Sequence, residues 1–350
     1  MRAAVFHGQQ DLRLEDVPEP FPGAGEVKLR VLYNGICGSD LHEYYHGPIT
    51  TRRDPHPLTG VKNPVILGHE LSGEVVELGR GVEDLRPGCL VAVEPVETCG
   101  RCVHCTSGRY NHCALLAFHG YNRSGGGLSQ FTVVRRSMVH PLLPGMTPMQ
   151  GALIEPMAIA WRTAERSQLS AGQIAAIHGG GPIGIGVYFT LKRRGVQCIV
   201  SDPARARRAV LKAIGVECVL DPRECDVVSA VRDLTGGRGA DASIDAAGVP
   251  AAFQAALHGT AIDGNVVVVA IHSTPIEVSP MDILMSEARI TGVALSCNAF
   301  PQVIEAMAAG AYPQAAWVES IALDRLIEDG FERLHRQEGS KILVDLRDCS

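Results

Sequence analysis

The chain has 350 residues, 46% of them hydrophobic and 20% charged, with a formal net charge of −6. That length suits two domains, each able to bury its own core, and the composition is that of a soluble globular protein. The acidic balance excludes a dedicated nucleic-acid binder, which would carry a basic stripe.

The opening "MRAAVFHGQQDLRLEDVPEP" has no basic segment followed by an apolar one, so no secretory leader is expected. The longest apolar runs, such as "VVVVAI" at 266–271, are far too short to span a bilayer. The chain therefore reads as cytoplasmic, with no membrane partner. Its eleven cysteines, an odd number in a reducing compartment, argue against a disulfide framework.

Residues 1–152 read as β-rich. "EVKLRVLY" (26–33) alternates apolar and polar positions as a half-buried strand does. "LSGEVVEL" (71–78), "CLVAVEP" (89–95) and "LSQFTVV" (128–134) repeat the theme between turns such as "EPFPGAGE" and "LRPGC". The rhythm changes at residue 153. From "IEPMAIAWRTAERSQL" onward, helical patterns alternate with short apolar runs: "QIAAI", "QCIVSD", "CVLD", "DASIDAAG" and "NVVVVAI". Strands buried on both faces and joined by helices make a parallel sheet, so 153–289 reads as a doubly wound α/β domain. Residues 290–350 are mixed and end in the strand-like "KILVDL" (341–346), which could join either unit.

"GGGPIG" at 179–184 follows an apolar strand and opens a helix, fitting G-x-G-x-x-G through Gly179, Gly181 and Gly184, with Pro182 and Ile183 between. Such a turn lets backbone approach a pyrophosphate at a helix N-terminus. Asp202 ends the next strand, where a carboxylate would accept from ribose hydroxyls and repel a 2′-phosphate, favouring NAD over NADP. Arg205, Arg207 and Arg208 follow and could instead receive that phosphate. The plainer reading of these arginines is a solvated helix face.

"CGRCVHCTSGRYNHC" holds Cys99, Cys102, Cys105 and Cys113, spaced C-x2-C-x2-C-x7-C. Thiolates so spaced select zinc, and four protein ligands leave no place for substrate, so this metal is expected to be structural. Arg101 and Arg109 lie in the loop to offset its negative charge. An iron–sulfur cluster is the alternative.

A metal that does chemistry needs another site. Cys37 in "GICGSDLHEYYHG", His69 and Glu70 in "PVILGHELSGEVVELG", and Glu155 in "ALIEPMAIAW" are the candidates. A Cys, a His and a carboxylate make an open three-ligand zinc site. Each residue also has a plain structural reading: a small buried thiol, a satisfied core histidine, a carboxylate at a helix N-terminus. Spacing alone does not bring them together.

"GHELSGEVVELG", "CGRCVHC…C" and "GGGPIG", in that order, resemble the zinc signature, structural-zinc lobe and coenzyme turn of the medium-chain alcohol and polyol dehydrogenases. The likeness runs over essentially the whole chain. "HEYYHGPI", "PHPLTG", "GGGLSQFTVV" and "EPMAIAW" resemble the branch acting on vicinal diols such as 2,3-butanediol, with sorbitol and threonine branches next to it. The resemblance implies a GroES-like β-rich catalytic domain to which the C-terminal tail, 290–350, returns, with a Rossmann nucleotide domain inserted between. It implies that Cys37, His69 and an acidic residue, Glu70 or Glu155, bind a catalytic zinc beside the structural one. It also implies that Ser39 relays the substrate proton through the nicotinamide ribose toward His42. The expected reaction is hydride exchange between NAD and a secondary alcohol or ketone, and the expected state a homo-oligomer. A nucleotide-binding scaffold without activity is the alternative from another class. The segment "GVALSCNAFPQVIEAM" (292–307) departs from the diol branch and leaves substrate identity open.

Overall fold

The computed structural model describes residues 1–347. The strand Glu26–Gly35 is the hub of the first unit, paired antiparallel with Glu70–Leu78, Phe131–Arg135 and Lys341–Asp345. Leu90–Val93 and Val139–Pro141 extend this sheet on one side, and Val318–Ala322 ends it on the other. A smaller sheet of Asp11–Asp16, Arg2–Gly8 and Val65–Ile66 packs with it. Alternation in 26–33 predicts a half-buried strand, yet nearly every residue of the hub is buried. The reason is its central place. Val27, Leu29 and Val31 enter the β-domain core with Phe6, Leu71 and Val75, while Leu32 and Tyr33 join the core shared with the helices beyond.

The second unit is a parallel sheet of six strands in the order Cys218–Leu220, Gln197–Ser201, Ile174–His178, Ala240–Asp245, Thr260–Val268 and Arg289–Gly292. Side chains alternate between its faces, as strands require. Ala175, Ile177 and Val267 pack under the helices Ile154–Ser167, Pro182–Arg193 and Phe300–Ala308. Ala176 and Val266 face the opposite way, toward Val227–Leu234 and Pro250–Gly259. The parallel sheet continues to Gly292, past the boundary at 289 drawn from the sequence. Arg289–Gly292 is an edge strand, largely exposed, so it lacks the continuous apolar run that marks its buried neighbours.

Strand order reverses between Ile174–His178 and Ala240–Asp245, and ligands of open α/β sheets bind at such a switch point, beyond the carboxyl ends of the strands. The chain crosses back to the first sheet at 318–322 and 341–345. Among the described residues, no helix is long and apolar enough to cross a membrane.

Candidate active site

Two groups of metal-ligating side chains stand out among the described residues: the four cysteines of 99–113, and Cys37 and His69 with Glu70, one of the two acids the sequence leaves open. In the lobe at 99–113, the sulfurs of Cys99, Cys102, Cys105 and Cys113 lie within 4.8 Å of one another. Cys102 and Cys105 Sγ are 3.5 Å apart and Cys99 and Cys105 Sγ 4.0 Å. These spacings match the edge of a tetrahedron with metal–sulfur bonds of about 2.3 Å. Backbone N–H groups of Cys105 and Ala114 hold the Cys102 thiol down to about 6, favouring the thiolate a metal needs. All four cysteines are unbridged, and the donor set fits zinc.

The second group is Cys37, His69 and Glu70, whose ligand atoms also lie within 4.8 Å of one another. Cys37 caps the helix Gly38–His46, and Asp40 in that helix accepts from the Cys37 N–H at 3.0 Å. His69 precedes the strand Glu70–Leu78. Gly68, at φ +99°, lets the chain turn there against the backbone of Leu128. His69 and Glu70 are buried, whereas Cys37 is partly exposed, so the group opens on one side. The His69 Nδ1 sits 3.4 Å from the buried Asp40 carboxylate, which orients the ring and leaves Nε2 for the site. Burial opposes charge on Asp40. Its neighbours His69, the Cys37 N–H and Tyr121 outweigh that, and its pKa lies below the usual range.

Glu155 is buried at the start of Ile154–Ser167 but does not join the three-residue set. Burial first, then the neighbouring Glu70 carboxylate, push it up to about 8. Glu70 is engaged on its far side by Lys341 Nζ, a fully buried ammonium that also donates to the Ile36 carbonyl at 2.9 Å. Ser39 Oγ lies 3.5 Å from His69 Nε2. His42, one helical turn further, is exposed to solvent.

The glycine turn leads from the strand Ile174–His178 into the helix Pro182–Arg193, whose N-terminus has no side-chain cap. Gly179 has φ +111°, and a Cβ on Gly184 would collide with the Gly179 carbonyl oxygen. At Gly181 a Cβ would meet no protein atom within 4 Å, which leaves room for a pyrophosphate. Asp202 is buried just past Gln197–Ser201 and accepts from the N–H groups of Gly180 at 2.8 Å and Ala204 at 2.7 Å. Arg208 is tied to Asp221 and to the Asp202 and Pro203 carbonyls, and Arg205 is exposed. Arg207 alone of the three points its guanidinium toward the Asp202 carboxylate, at 3.7 Å. Donor set and turn both fit the groups expected of them.

Three residues near the metal group were not found from the sequence: Asp40, Tyr121 and Lys341. Asp40 lies within "CGSD" but gives no signal apart from the fold. The other two sit 84 and 304 residues after Cys37 and meet it only in three dimensions.

A β-rich unit and a parallel-sheet unit frame a cysteine–histidine–glutamate group and a glycine turn at a strand–helix junction. Residues 23–144 match the alcohol dehydrogenase GroES-like domain and residues 182–309 the zinc-binding dehydrogenase domain. The chain belongs to the zinc-dependent medium-chain alcohol dehydrogenase family, and it is an NAD-dependent oxidoreductase of that class. The (R,R)-butanediol dehydrogenase of Bacillus subtilis (strain 168) is 39% identical, covering 98% of this chain and 99% of the relative. Human sorbitol dehydrogenase is 32% identical over 97% of this chain and 94% of its own. The crystal structure of 2R,3R-butanediol dehydrogenase from Bacillus subtilis superposes with a TM-score of 0.92 at 38% identity, covering 98% of this chain and 99% of that one. A zinc-binding dehydrogenase from Sinorhizobium meliloti 1021, solved with NADP bound, gives a TM-score of 0.90 at 28% identity over 98% of both chains.

Proposed function

We propose that the protein oxidises a vicinal secondary diol of the 2,3-butanediol type to the hydroxyketone, reversibly and with NAD. The observation that carries this is the open group of Cys37, His69 and Glu70 beside the Ser39 hydroxyl, in a chain similar throughout to butanediol dehydrogenases. A scaffold without activity needs neither that group nor that hydroxyl.

Cys37, His69 and Glu70 would hold the catalytic zinc, with Glu155 behind them as a buried acid beside Glu70. A zinc ion there supplies Lewis acidity, lowering the pKa of the substrate hydroxyl. Ser39 Oγ, set beside His69, would receive that hydroxyl proton as it passes its own on toward the solvent side, where the exposed His42 imidazole would exchange a proton with water. Asp40 keeps the His69 ring in place throughout. Gly179, Gly181, Pro182, Ile183 and Gly184 cradle the cofactor pyrophosphate, and Asp202 receives the ribose hydroxyls through the lone pairs its backbone bonds leave free. NAD supplies the hydride acceptor. Arg207 near Asp202 supports a cofactor preference that is strong without being absolute.

Residues 1–152 and the returning tail would form the catalytic unit, and the parallel-sheet unit the coenzyme domain. The ten described cysteines are all free thiols, which suits the cytoplasm. Among the described residues, the edge strand Arg289–Gly292 has one neighbour in its sheet and exposes Ile290, and the helix before it, Pro280–Ser286, exposes Met281, Leu284 and Met285. Such a face suits pairing with a second copy.

The test is NADH formation by the zinc-replete protein on the separate stereoisomers of 2,3-butanediol, then on sorbitol and threonine, with NAD and with NADP. Turnover of one butanediol isomer far above the rest supports the reading. Preference for sorbitol or threonine would move the protein to a neighbouring branch.

A further inference from the structure

The helix Gly38–His46 carries His42, Glu43, Tyr44, Tyr45 and His46, the spacing H-E-x-x-H that sets two imidazoles one turn apart on one helical face. Three of these five side chains are held against the protein. The Glu43 carboxylate is 1% exposed and accepts from the N–H groups of Ile49 at 2.9 Å and Thr50 at 2.8 Å. The Tyr44 ring meets Phe331 edge-on at 5.2 Å, and the Tyr45 ring stacks on His335 at 4.0 Å. His42 and His46 stand exposed, with ring centroids 6.1 Å apart. Among the described residues, neither ring enters a hydrogen bond or an ion pair.

Two neutral imidazoles so placed form a chelate for a borderline-soft divalent cation such as zinc, which takes imidazole nitrogen at about 2.0–2.1 Å. Side-chain rotation closes the rings onto one ion, because both are exposed and unengaged. His46 lies in the last turn of the helix, where the carbonyl dipoles favour added positive charge. Among the described residues, no thiol or carboxylate joins the pair, so water completes the coordination and the ion exchanges freely. In H-E-x-x-H hydrolases the glutamate is the general base. Here Glu43 is occupied by the loop at 49–51, so the pair binds metal without activating water. His104 and His112 come equally close, at 6.1 Å, but Arg109 and Arg162 near His112 oppose a cation there.

We infer that His42 and His46 form a third metal site, an exchangeable surface site for zinc that inhibits the enzyme when filled. A neutral imidazole has one lone pair with which to take up a proton. An ion on that nitrogen leaves His42 unable to exchange a proton with water. The inhibition rests on the role given to His42 above; the site itself does not.

The experiment dialyses the zinc-replete enzyme against added Zn²⁺ and counts bound zinc in the wild type, His42→Ala and His46→Ala. NADH formation by the wild type and His46→Ala is followed over the same zinc range. The second ring captures an ion already held by the first, which raises affinity by roughly 100-fold. The wild type should therefore bind one ion per chain more than either variant. Mg²⁺, which takes oxygen ligands, should not displace it. Wild-type turnover should fall by roughly tenfold or more as that ion binds, while His46→Ala starts at the wild-type rate and keeps it.

Equal zinc counts in the wild type and His46→Ala would overturn the inference, whatever the substrate proves to be. Displacement by Mg²⁺ would mark an oxygen site and overturn it too. An extra ion held by the two histidines with turnover unchanged would overturn the inhibition. That result would also take His42 out of the proton path, leaving the zinc ligands of the cleft untouched.

Discussion

The Asp202 carboxylate accepts a hydrogen bond from the Gly180 N–H at 2.8 Å, so the side chain proposed to select the cofactor also braces the turn proposed to hold its phosphates. Replacing Asp202 acts on both. Asp202→Ser removes the negative charge opposing a 2′-phosphate and frees Arg207, whose guanidinium lies 3.7 Å away. A hydrogen bond to a charged group is worth about 1.5–3 kcal/mol, so kcat/KM with NAD should fall roughly 10- to 100-fold. With NADP it should rise. Steady-state kinetics with both cofactors checks this, and an unaltered NAD/NADP ratio would remove Asp202 from cofactor selection.

The glycine turn makes a sharper demand. Gly184 packs so closely under Gly179 that a single added methyl meets the carbonyl oxygen. Gly184→Ala must push the helix Pro182–Arg193 away from the strand Ile174–His178, at a cost of about 1–3 kcal/mol. The shift also spoils the cradle. NADH affinity should drop at least tenfold while the zinc content stays at the wild-type value, as fluorescence titration and metal analysis would show. Gly181→Ala is the contrasting variant. No protein atom lies within 4 Å of the added methyl, so it should fold normally and still bind NADH poorly, since the methyl enters the space left for the pyrophosphate.

What could be read in the sequence and what could not divide along one line. Cys99–Cys113 and 179–184 are local: their ligands or glycines lie within a few residues, and spacing states the geometry. Cys37, His69 and Glu70 needed the pairing of Glu26–Gly35 with Glu70–Leu78, which sets Gly35 opposite Glu70 just before Cys37. Tyr121 needed the contact of Gly68 with Gly120, and Lys341 the return of the last strand. No periodicity records contacts of that range. Arg289–Gly292 was missed for a different reason: an exposed edge strand does not carry the apolar signature of a buried one.

The cysteine lobe is tied by hydrogen bonds to a distant segment of the chain, 294–298. Tyr110 in the lobe donates to Glu94 Oε1 at 2.6 Å and accepts from the Asn298 N–H at 2.7 Å. Asn111 Nδ2 donates to the Ala294 carbonyl at 2.9 Å. Those bonds hold the segment 294–298, which lies within the stretch 292–307 where the sequence departs from the diol branch. Cys102→Ser should therefore lower zinc content from two ions to one per chain, in keeping with the two donor groups. It should also expose the lobe to protease and, if the segment 294–298 borders the substrate as the family resemblance implies, raise KM because that segment loosens. Limited proteolysis with metal analysis tests the first two outcomes. An unchanged KM in a protein that has lost the lobe's zinc would show that the lobe does not shape the cleft.

Glu70 and Lys341 form a buried ion pair that ties the strand beginning at Glu70 to the strand Lys341–Asp345. They sit on the paired region of Glu70–Leu78, Glu26–Gly35 and Lys341–Asp345, and both side chains are at most 2% exposed. Removing one partner of a buried pair leaves an uncompensated charge, at a cost of about 3–5 kcal/mol. Lys341→Met should do this to Glu70, with a lower melting temperature as the readout. A bound cation changes the size of the effect. If Glu70 is a zinc ligand, the metal takes over the neutralisation that Lys341 supplied, and the variant should be damaged less when loaded than when stripped by a chelator. Wild-type protein treated the same way corrects for loss of the structural ion. A penalty for Lys341→Met that is equal with and without metal would take Glu70 out of the ligand set and turn attention to Glu155, the other buried acid beside it.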